Sequence, residues 1–477
     1  AIRKVADDYD RIFQLVENRT LRERAVDLRD VGIRVLRNVE EEADAGARGR
    51  TPGRNVVTRE VVLVAAELSI VDMFDAQGDH VLGIVTETAG LTSHAAILAR
   101  SMRIPTLTAV DGLMATVEEG DLLVVDATEG IVRVNPDELV REQYAQARDQ
   151  SEEKANSGPI EAAVPFETAD GETLVVGAVC GTLPEVQRAV ELGLPEIGLY
   201  RTELLYLIDR GAPSPDALTG HYASVLETAG SAPVTFRLLD VDSALAGGAL
   251  HGGREANPKL GRAGVRFLLE REQVLRTQLR ALLNAAGPRR LRLAVPFVND
   301  ADELRRVREI LFEERFALRK AEAGLEYGVE LGVIIETPLS ALCSAALAEE
   351  ADFVVISLDG LSQYMLAADR EIVAFAERFQ PLHPVVLRLV ARIVSDCAAR
   401  ATQLSVFGIS SQSGDNVRLL LGAGVARFCV SPSAVPEFRQ RIERIDSDQA
   451  RAEVLAAREA RTPSELRDRL ERSRYGR

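Results

Sequence analysis

The chain has 477 residues, of which 46% are hydrophobic and 27% are charged, a composition that predicts a folded protein of two or three domains. With 57 Lys and Arg against 73 Asp and Glu, a net charge of -16 and no Trp, binding to nucleic acid or to an anionic membrane surface is disfavoured. No apolar run reaches membrane-spanning length, no signal-peptide pattern is present, and four scattered cysteines lack metal-ligand spacing, so we predict a cytoplasmic protein with no membrane insertion.

The first 135 residues contain a helical segment followed by a small α/β domain. Residues 1–39 place Leu21, Ala25 and Leu28 near one helical face, as in an amphipathic helix. Residues 40–135 alternate short apolar stretches with turns, which predicts one compact domain. Its predicted strands include Val81–Val85, Thr106–Val110, Leu122–Val125 and Ile131–Val134.

Within that domain, a turn of small residues leads into a helix that begins at His94 and ends before Pro105. His94 is therefore predicted at a helix N-terminus, where backbone N–H groups and the helix dipole favour an anion. A neutral imidazole there can accept a phosphoryl group, and the hydroxyls of Thr92 and Ser93 can bind phosphate oxygens. Helix chemistry alone explains the same residues as an ordinary capped helix.

The remainder of the chain predicts a linker helix and a barrel. Residues 136–157 form a charged helical pattern suited to a connector that lets the preceding domain swing. Residues 158–477 alternate strand and helix patterns, which predicts an α/β fold of the (β/α)8 TIM-type barrel, with a doubly wound open sheet as the alternative. The predicted strands are Thr173–Ala178, Glu196–Tyr200, Val234–Asp240, Leu291–Phe297, Leu331–Glu336, Phe353–Asp359, Leu404–Gly408 and Arg427–Ser431.

Charged residues occur at the strand ends where a barrel of this type carries its chemistry. Arg201 follows the second predicted strand and Arg237 lies in the third. Glu336 ends the fifth, Asp359 ends the sixth, and Arg370 follows. Arginine binds carboxylate and phosphate in bidentate fashion, and carboxylates are ligands that Mg2+ prefers. Together these residues predict a site for a phosphorylated carboxylic acid with a metal, whereas each alone is equally explained by a salt bridge.

The motifs resemble a known family. The stretch GLTSHAAILARSMRIP, residues 90–105, resembles the phosphohistidine signature of the phosphoenolpyruvate (PEP)-utilising enzymes. The second half, including Asn257–Gly261 and Ser431–Ser433, resembles the PEP-binding barrel of the Enzyme I family of the bacterial sugar phosphotransferase system. The resemblance implies a phosphohistidine swivelling β/β/α domain followed by the barrel, with residues 1–39 as the remnant of a carrier-binding helical region.

The same resemblance implies roles for individual residues. His94 is implied to be the phosphoryl acceptor, Glu336 a ligand of Mg2+, and Arg201, Arg237 and Arg370 the residues that bind PEP. Asp359 occupies the position of a substrate-binding Asn of the family and precedes the position of its second metal ligand, so we predict Asp359 both as a substrate-binding residue and as the second ligand of Mg2+. The implied partners are PEP, a small histidine-containing phosphocarrier protein that serves sugar uptake, and a second copy of the chain in a homodimer formed through the barrel.

Several positions depart from the family pattern. Where the family has Asn-Asp after the sixth strand, this chain has Asp359-Gly360, so the second metal ligand is absent. Where the family has Cys-Gly-Glu near the seventh strand, this chain has Phe407-Gly408-Ile409, which removes the cysteine that protonates enolpyruvate. The Trp-Arg pair after Asn-Pro-x-Leu-Gly is replaced by Arg262-Ala263, and a Gly-Gly-Asp-Lys segment after the third strand by Asp242–Leu245.

Three functions follow from these observations. The first is a phosphotransferase that moves the phosphoryl group from PEP to His94 and on to a carrier. The second is a catalytically degenerate paralogue that acts as a binding or regulatory protein. The third, a dikinase or PEP synthase, requires a large nucleotide-binding domain, and the chain has neither a Gly-rich phosphate loop nor the spare length for one.

Overall fold

The computed structural model describes ten segments of the chain. They are residues 60–66, 80–87, 104–127, 129–146, 165–208, 212–243, 255–321, 328–368, 383–408 and 414–475. His94 with its motif, Arg370, Ile409 and residues 1–39 lie outside the described residues.

Eight parallel strands form a closed barrel, which confirms the predicted fold and excludes the open sheet. Each strand from β7 to β14 pairs with the next, and β14 pairs with β7 in the register Arg427↔Val175 to Val430↔Ala178. A short antiparallel strand, Phe166–Glu167, pairs with the start of β7. The described strands are β1 Glu60–Ala65, β2 His80–Thr86, β3 Thr106–Leu107, β4 Leu123–Asp126, β5 Ile131–Val134, β6 Phe166–Glu167, β7 Thr173–Cys180, β8 Ile197–Tyr200, β9 Val234–Arg237, β10 Leu291–Val295, β11 Val329–Ile335, β12 Phe353–Ser357, β13 Gln403–Phe407 and β14 Arg427–Val430.

Helices cover the outer face of the barrel. Because an all-parallel sheet is covered on both faces, its strands read as nearly continuous apolar runs, and every residue of β8 and β12 is buried. Among the described residues, no helix is long and apolar enough to cross a membrane. The described helices are α1 Leu113–Thr116, α2 Leu183–Glu191, α3 Glu203–Ile208, α4 Pro215–Ala229, α5 Gly264–Glu270, α6 Glu272–Ala286, α7 Ala301–Ala321, α8 Pro338–Leu342, α9 Ser344–Glu350, α10 Leu358–Leu366, α11 Pro384–Ala398, α12 Gly414–Gly422, α13 Val435–Ile442, α14 Ser447–Ala457 and α15 Pro463–Tyr475.

The barrel strands lie where they were predicted, with ends that differ by one to three residues. One difference affects the site: Asp359, predicted to end the sixth strand, lies instead in the first turn of α10. The strand ends at Ser357 and the helix begins at Leu358. Residues three positions apart share one face of a helix, and this allows Leu358 and Leu361 to be buried together. The direction of the Asp359 side chain is thus set by the geometry of a helix and not by that of a strand.

The segments before the barrel form two small sheets. One consists of β1, β2 and β3, and the other of β4 paired antiparallel with β5. In the first, Ile84 is fully buried and packs against Leu63, Val81 and Ile104. The segment predicted as a linker helix, residues 136–157, is helical from residue 138, and the Asp137 carboxylate accepts the Val140 N–H at 2.9 Å. It is described as far as residue 146, and its predicted end lies outside the described residues.

The close packing of α12 on α14 predicts opposite effects for two glycine substitutions. A Cβ at Gly422 would lie 2.2 Å from the Ala450 carbonyl oxygen, whereas a Cβ at Gly220, on α4, would meet nothing within 4 Å. We expect Gly422→Ala to lower the free energy of unfolding by about 1–3 kcal/mol. Gly220→Ala should raise it by about 0.5–1 kcal/mol, since alanine favours helix. Urea unfolding of both variants tests this, and equal effects would contradict it.

Candidate functional site

Four of the predicted site residues lie at the carboxyl-terminal ends of barrel strands. Arg201 directly follows β8, Arg237 ends β9 and Glu336 directly follows β11. Asp359 lies two residues after β12, in α10. All eight strands are parallel, so these ends surround one mouth. The remaining two predicted residues, His94 and Arg370, lie outside the described part of the chain.

Arg237 is held by two carboxylates in the barrel mouth. Its Nε and Nη2 lie 3.0 and 2.9 Å from Glu203 Oε1, and its Nη1 lies 3.1 Å from Asp240 Oδ2. Burial disfavours the charged guanidinium, but Glu203, Asp240 and Glu336 outweigh it and raise the pKa of Arg237. The result is a permanently charged guanidinium in a fixed orientation.

Arg201 lies in a different environment although it occupies the same mouth. Its backbone N–H donates to the Cys180 carbonyl at 2.8 Å, and its side chain passes close to Gly181. Desolvation by the surrounding mouth and the charge of Arg237 lower the pKa of Arg201, although the side chain is exposed to solvent. Within the described segments, no hydrogen bond or ion pair of its guanidinium is found. An anion entering the mouth therefore meets an accessible arginine beside a buried one.

Glu336 is the predicted metal ligand, and its carboxylate is buried and oriented. Its Oε1 accepts the Phe297 N–H at 2.8 Å, and Phe297 has a left-handed backbone with φ of 59°. A Cβ at Gly360 would lie 3.0 Å from Glu336 Oε2 and 2.9 Å from Ser357 Oγ. The second carboxylate oxygen of Glu336, Oε2, thus lies next to the backbone of α10 at Gly360.

The Asp359 carboxylate borders the end of β13. A Cβ at Gly408, just after β13, would lie 3.0 Å from Asp359 Oδ2 and 2.9 Å from its Cγ. Among the described residues, no group of three or more His, Cys, Asp or Glu is arranged to hold a metal ion. Mg2+ keeps several waters and is often bound through one or two carboxylates together with substrate phosphates. The donor set therefore fits a Mg2+ held jointly with a phosphorylated substrate, and does not form a complete cage.

A buried glutamine joins the two arginine-bearing loops. Gln278, on α6, is fully buried. Its Oε1 accepts the Leu239 N–H at 2.9 Å, and its Nε2 donates to Thr202 Oγ1 at 3.0 Å and to the Tyr222 hydroxyl at 3.2 Å. The Thr202 hydroxyl in turn donates to the Arg237 carbonyl at 2.9 Å. The amide uses its acceptor and both donors, which fixes the end of β8 against the end of β9.

Sequence patterns did not indicate Glu203, Asp240 or Gln278 as parts of the site. Glu203 stands two residues after Arg201 and resembles an ordinary charged residue. Asp240 ends the third predicted strand, Val234–Asp240, so the strand-end signal that selected Glu336 and Asp359 could have found it. The available signal for Gln278 was its position on the inward face of α6, beside the buried Leu275 and Leu279. A polar residue on an apolar face is informative because burial requires that it be hydrogen-bonded.

Two family models match the sequence. The PEP-binding domain of the PEP-utilising enzymes matches residues 156–447, and the mobile domain of the same enzymes matches residues 57–130. The chain belongs to the PEP-utilising enzymes. This confirms the family resemblance, and the barrel mouth is thus that of an enzyme family.

Relatives over most of the chain carry one name, phosphoenolpyruvate-protein phosphotransferase. The protein of Geobacillus stearothermophilus is 33% identical over 442 residues, which cover 92% of this chain and 75% of the relative. That of Latilactobacillus sakei is 32% identical over 473 residues, which cover 98% of this chain and 81% of the relative. An NMR solution structure of Enzyme I is 36% identical, but the match covers 32% of this chain and 58% of that chain with a TM-score of 0.22, a superposition too loose to bear on the fold.

The cysteines in this PEP-utilising enzyme are free thiols. Cys180, Cys397 and Cys429 are buried, whereas Cys343 is half-buried. Burial raises the pKa of Cys180, and raises that of Cys429 to about 12. Because the thiolate is the reactive form, these two residues do not supply a reactive sulfur in place of the absent family cysteine.

The glutamine network predicts a stability effect that a surface glutamine does not share. Gln278→Leu leaves the Leu239 N–H and the Tyr222 hydroxyl without this partner, so we expect a loss of about 2–3 kcal/mol in the free energy of unfolding. Gln187→Leu, at an exposed position of α2, should change it by less than about 0.5 kcal/mol. Urea denaturation measures both, and indistinguishable midpoints would refute the network's importance.

Proposed function

We propose that this chain transfers the phosphoryl group of PEP to His94 and passes it on to a small histidine-containing phosphocarrier protein that serves sugar uptake. The observation that carries the proposal is the pair of arginines, Arg201 and Arg237, at one barrel mouth with the oriented carboxylate of Glu336. The name of the relatives describes the same kind of transfer. The homodimer through the barrel and the cytoplasmic location belong to the same proposal.

In the proposed transfer, the phosphoryl group moves from the enol oxygen of PEP to an imidazole nitrogen of His94. The bond between phosphorus and the enol oxygen of PEP breaks, and its electron pair stays on that oxygen as the enolate of pyruvate. A bond between an imidazole nitrogen of His94 and phosphorus forms in line with it. Such a reaction depends chiefly on positioning and charge stabilisation, which arginines provide through paired N–H donors.

Each residue is assigned a part in this step. Arg237, oriented by Glu203 and Asp240, and the accessible Arg201 would hold the carboxylate and phosphate oxygens, with Arg370 as a third arginine. Glu336, and in this proposal Asp359, would hold Mg2+. When bound, Mg2+ supplies charge neutralisation on the transferring phosphoryl group. The support for Glu336 is its buried carboxylate, oriented by the Phe297 N–H.

A second function is favoured by a specific observation. Position 360 has no side chain, and the space that its Cβ would occupy is bordered by Glu336 and Ser357 at 3.0 and 2.9 Å. The mouth therefore lacks a carboxylate that faces Glu336 from this position. The missing carboxylate is consistent with a paralogue that keeps the architecture but acts as a binding or regulatory protein. A measurement of phosphoryl transfer from PEP distinguishes the two functions.

Phosphorylation of His94 tests the proposal directly. The protein is incubated with Mg2+ and PEP carrying a labelled phosphoryl group, and acid-labile label on the chain is measured. We expect label on the unmodified protein and none on His94→Ala, because the imidazole is the acceptor. Absence of label from both proteins would refute the transferase and favour the regulatory paralogue.

The contact between position 360 and Glu336 predicts a change in metal dependence. Gly360→Ala places a methyl group 3.0 Å from Glu336 Oε2, which displaces the carboxylate from its hydrogen-bonded position. We expect the Mg2+ concentration for half-maximal phosphorylation to rise about tenfold, as for other changes next to a metal ligand. Gly220→Ala is the control. An unchanged Mg2+ requirement would show that Glu336 is not the metal ligand.

A further inference from the structure

A lysine lies at the barrel mouth on a segment that follows the arginine-bearing strand. Lys259 belongs to a 3-10 turn, Pro258–Leu260, and its Nζ lies 3.2 Å from Asp242 Oδ2. The Asp242 side chain is 5% exposed, whereas that of Lys259 is 35% exposed. The ammonium is thus fixed on one side by a buried carboxylate and open to solvent on another.

The same lysine belongs to the charge cluster of Arg237. Burial raises the pKa of Asp240, and the charges of Arg237 and Lys259 both act against that rise. Asp240 is itself 3.1 Å from Arg237. Asp242, the ion-pair partner of Lys259, stands two residues after Asp240 on the segment that follows β9, so Lys259 and Arg237 lie at the same end of that strand.

The turn that carries Lys259 is anchored to the opposite side of the mouth. The Tyr364 hydroxyl, on α10, donates to the Lys259 carbonyl at 2.9 Å. The Tyr364 ring meets the Phe297 ring edge-on, with centroids 5.5 Å apart, and the Phe297 N–H donates to Glu336. Through this series of contacts the turn is positioned relative to the carboxylate proposed to hold Mg2+.

Charge balance indicates what the lysine does. The described residues of the mouth include five acids, Glu203, Asp240, Asp242, Glu336 and Asp359, and three cations, Arg201, Arg237 and Lys259. PEP carries a phosphate and a carboxylate, and accessible cations at the mouth are the groups that bind such an anion. An ammonium has three donors, which allow one group to contact Asp242 and an incoming oxyanion together.

We propose that Lys259 is a substrate-binding residue whose ammonium contacts an oxyanion of PEP. This inference rests on the proposed function. The chain has Asp242–Leu245 where the resembled family has Gly-Gly-Asp-Lys, so the lysine from that segment is absent. Lys259, on the turn Pro258–Leu260, lies 3.2 Å from Asp242. It therefore supplies a positive charge at the end of β9, although it belongs to a later segment of the chain.

The small number of lysines permits a direct test by chemical labelling. The sequence contains four lysines, at positions 4, 154, 259 and 320, and each can be followed by peptide mass spectrometry after treatment with an amine-reactive reagent. With Mg2+ and PEP at ten times its dissociation constant, we expect labelling of Lys259 to slow about tenfold. Labelling of Lys320, exposed near the end of α7, should stay constant.

Kinetics of the full chain provide the second measurement. Lys259→Met should raise the KM for PEP by about tenfold, the loss of one charged contact, whereas Lys259→Arg should retain most of the binding and Lys320→Met all of it. Asp242→Asn should lower the KM by releasing the ammonium, whereas a purely structural ion pair would give lower stability and no gain in binding.

The outcomes separate this inference from the function on which it rests. Normal phosphorylation of His94 without protection of Lys259, and with an unchanged KM in Lys259→Met, would overturn the inference alone. No phosphorylation by the unmodified chain, and no protection of any lysine by PEP, would overturn both. Selective protection of Lys259 together with the raised KM would establish it as a binding residue.

Discussion

Closure of the sheet between β14 and β7 is the constraint on which the site depends. The pairing of Val175–Ala178 with Arg427–Val430 makes eight parallel strands into a ring, and parallel strands end on the same side. Residues far apart in sequence, from Arg201 to Asp359, therefore surround one mouth. An open sheet would have spread the same strand ends along a line, and the outermost strand ends would no longer share one opening.

Within the mouth, the balance between desolvation and neighbouring charge gives two arginines opposite properties. Arg237 is contacted by Glu203 and Asp240, so its pKa is raised although burial acts against the charge. The pKa of Arg201 is lowered, first because desolvation disfavours its charge and second because Arg237 is a neighbour of the same charge, and these effects outweigh the nearby acids Glu203 and Glu185. Both guanidinium groups remain charged at neutral pH because an arginine begins far above it. A bound anion would therefore stabilise the charge of Arg201 more than that of Arg237, because Arg237 is already paired with two carboxylates.

Sequence alone predicted the barrel and the residues at strand ends, because both depend on local patterns. Apolar runs of strand length alternating with helical periodicity gave all eight barrel strands within a few residues. Gln278 and Lys259 could not be found in this way. Their importance depends on contacts with Leu239, Tyr364 and Asp242, which lie 39, 105 and 17 positions away, and no periodicity encodes such contacts. The family models support the overall role, whereas the assignment of single residues stays a prediction.

The pair Asp359-Gly360 differs at both positions from the Asn-Asp of the resembled family, yet its charge is the same. Both versions carry one carboxylate in the first turn of α10, so the electrostatic sum is the same. On a helix, however, successive side chains point about 100° apart. A side chain at position 360 would face Glu336, whereas the Asp359 carboxylate lies beside Gly408 at the end of β13. The Asp359 carboxylate thus borders the strand end that, by the resemblance, carries the proton-donating cysteine of the family, so the direction of a carboxylate, and not only the sum of the charges, determines what the site binds.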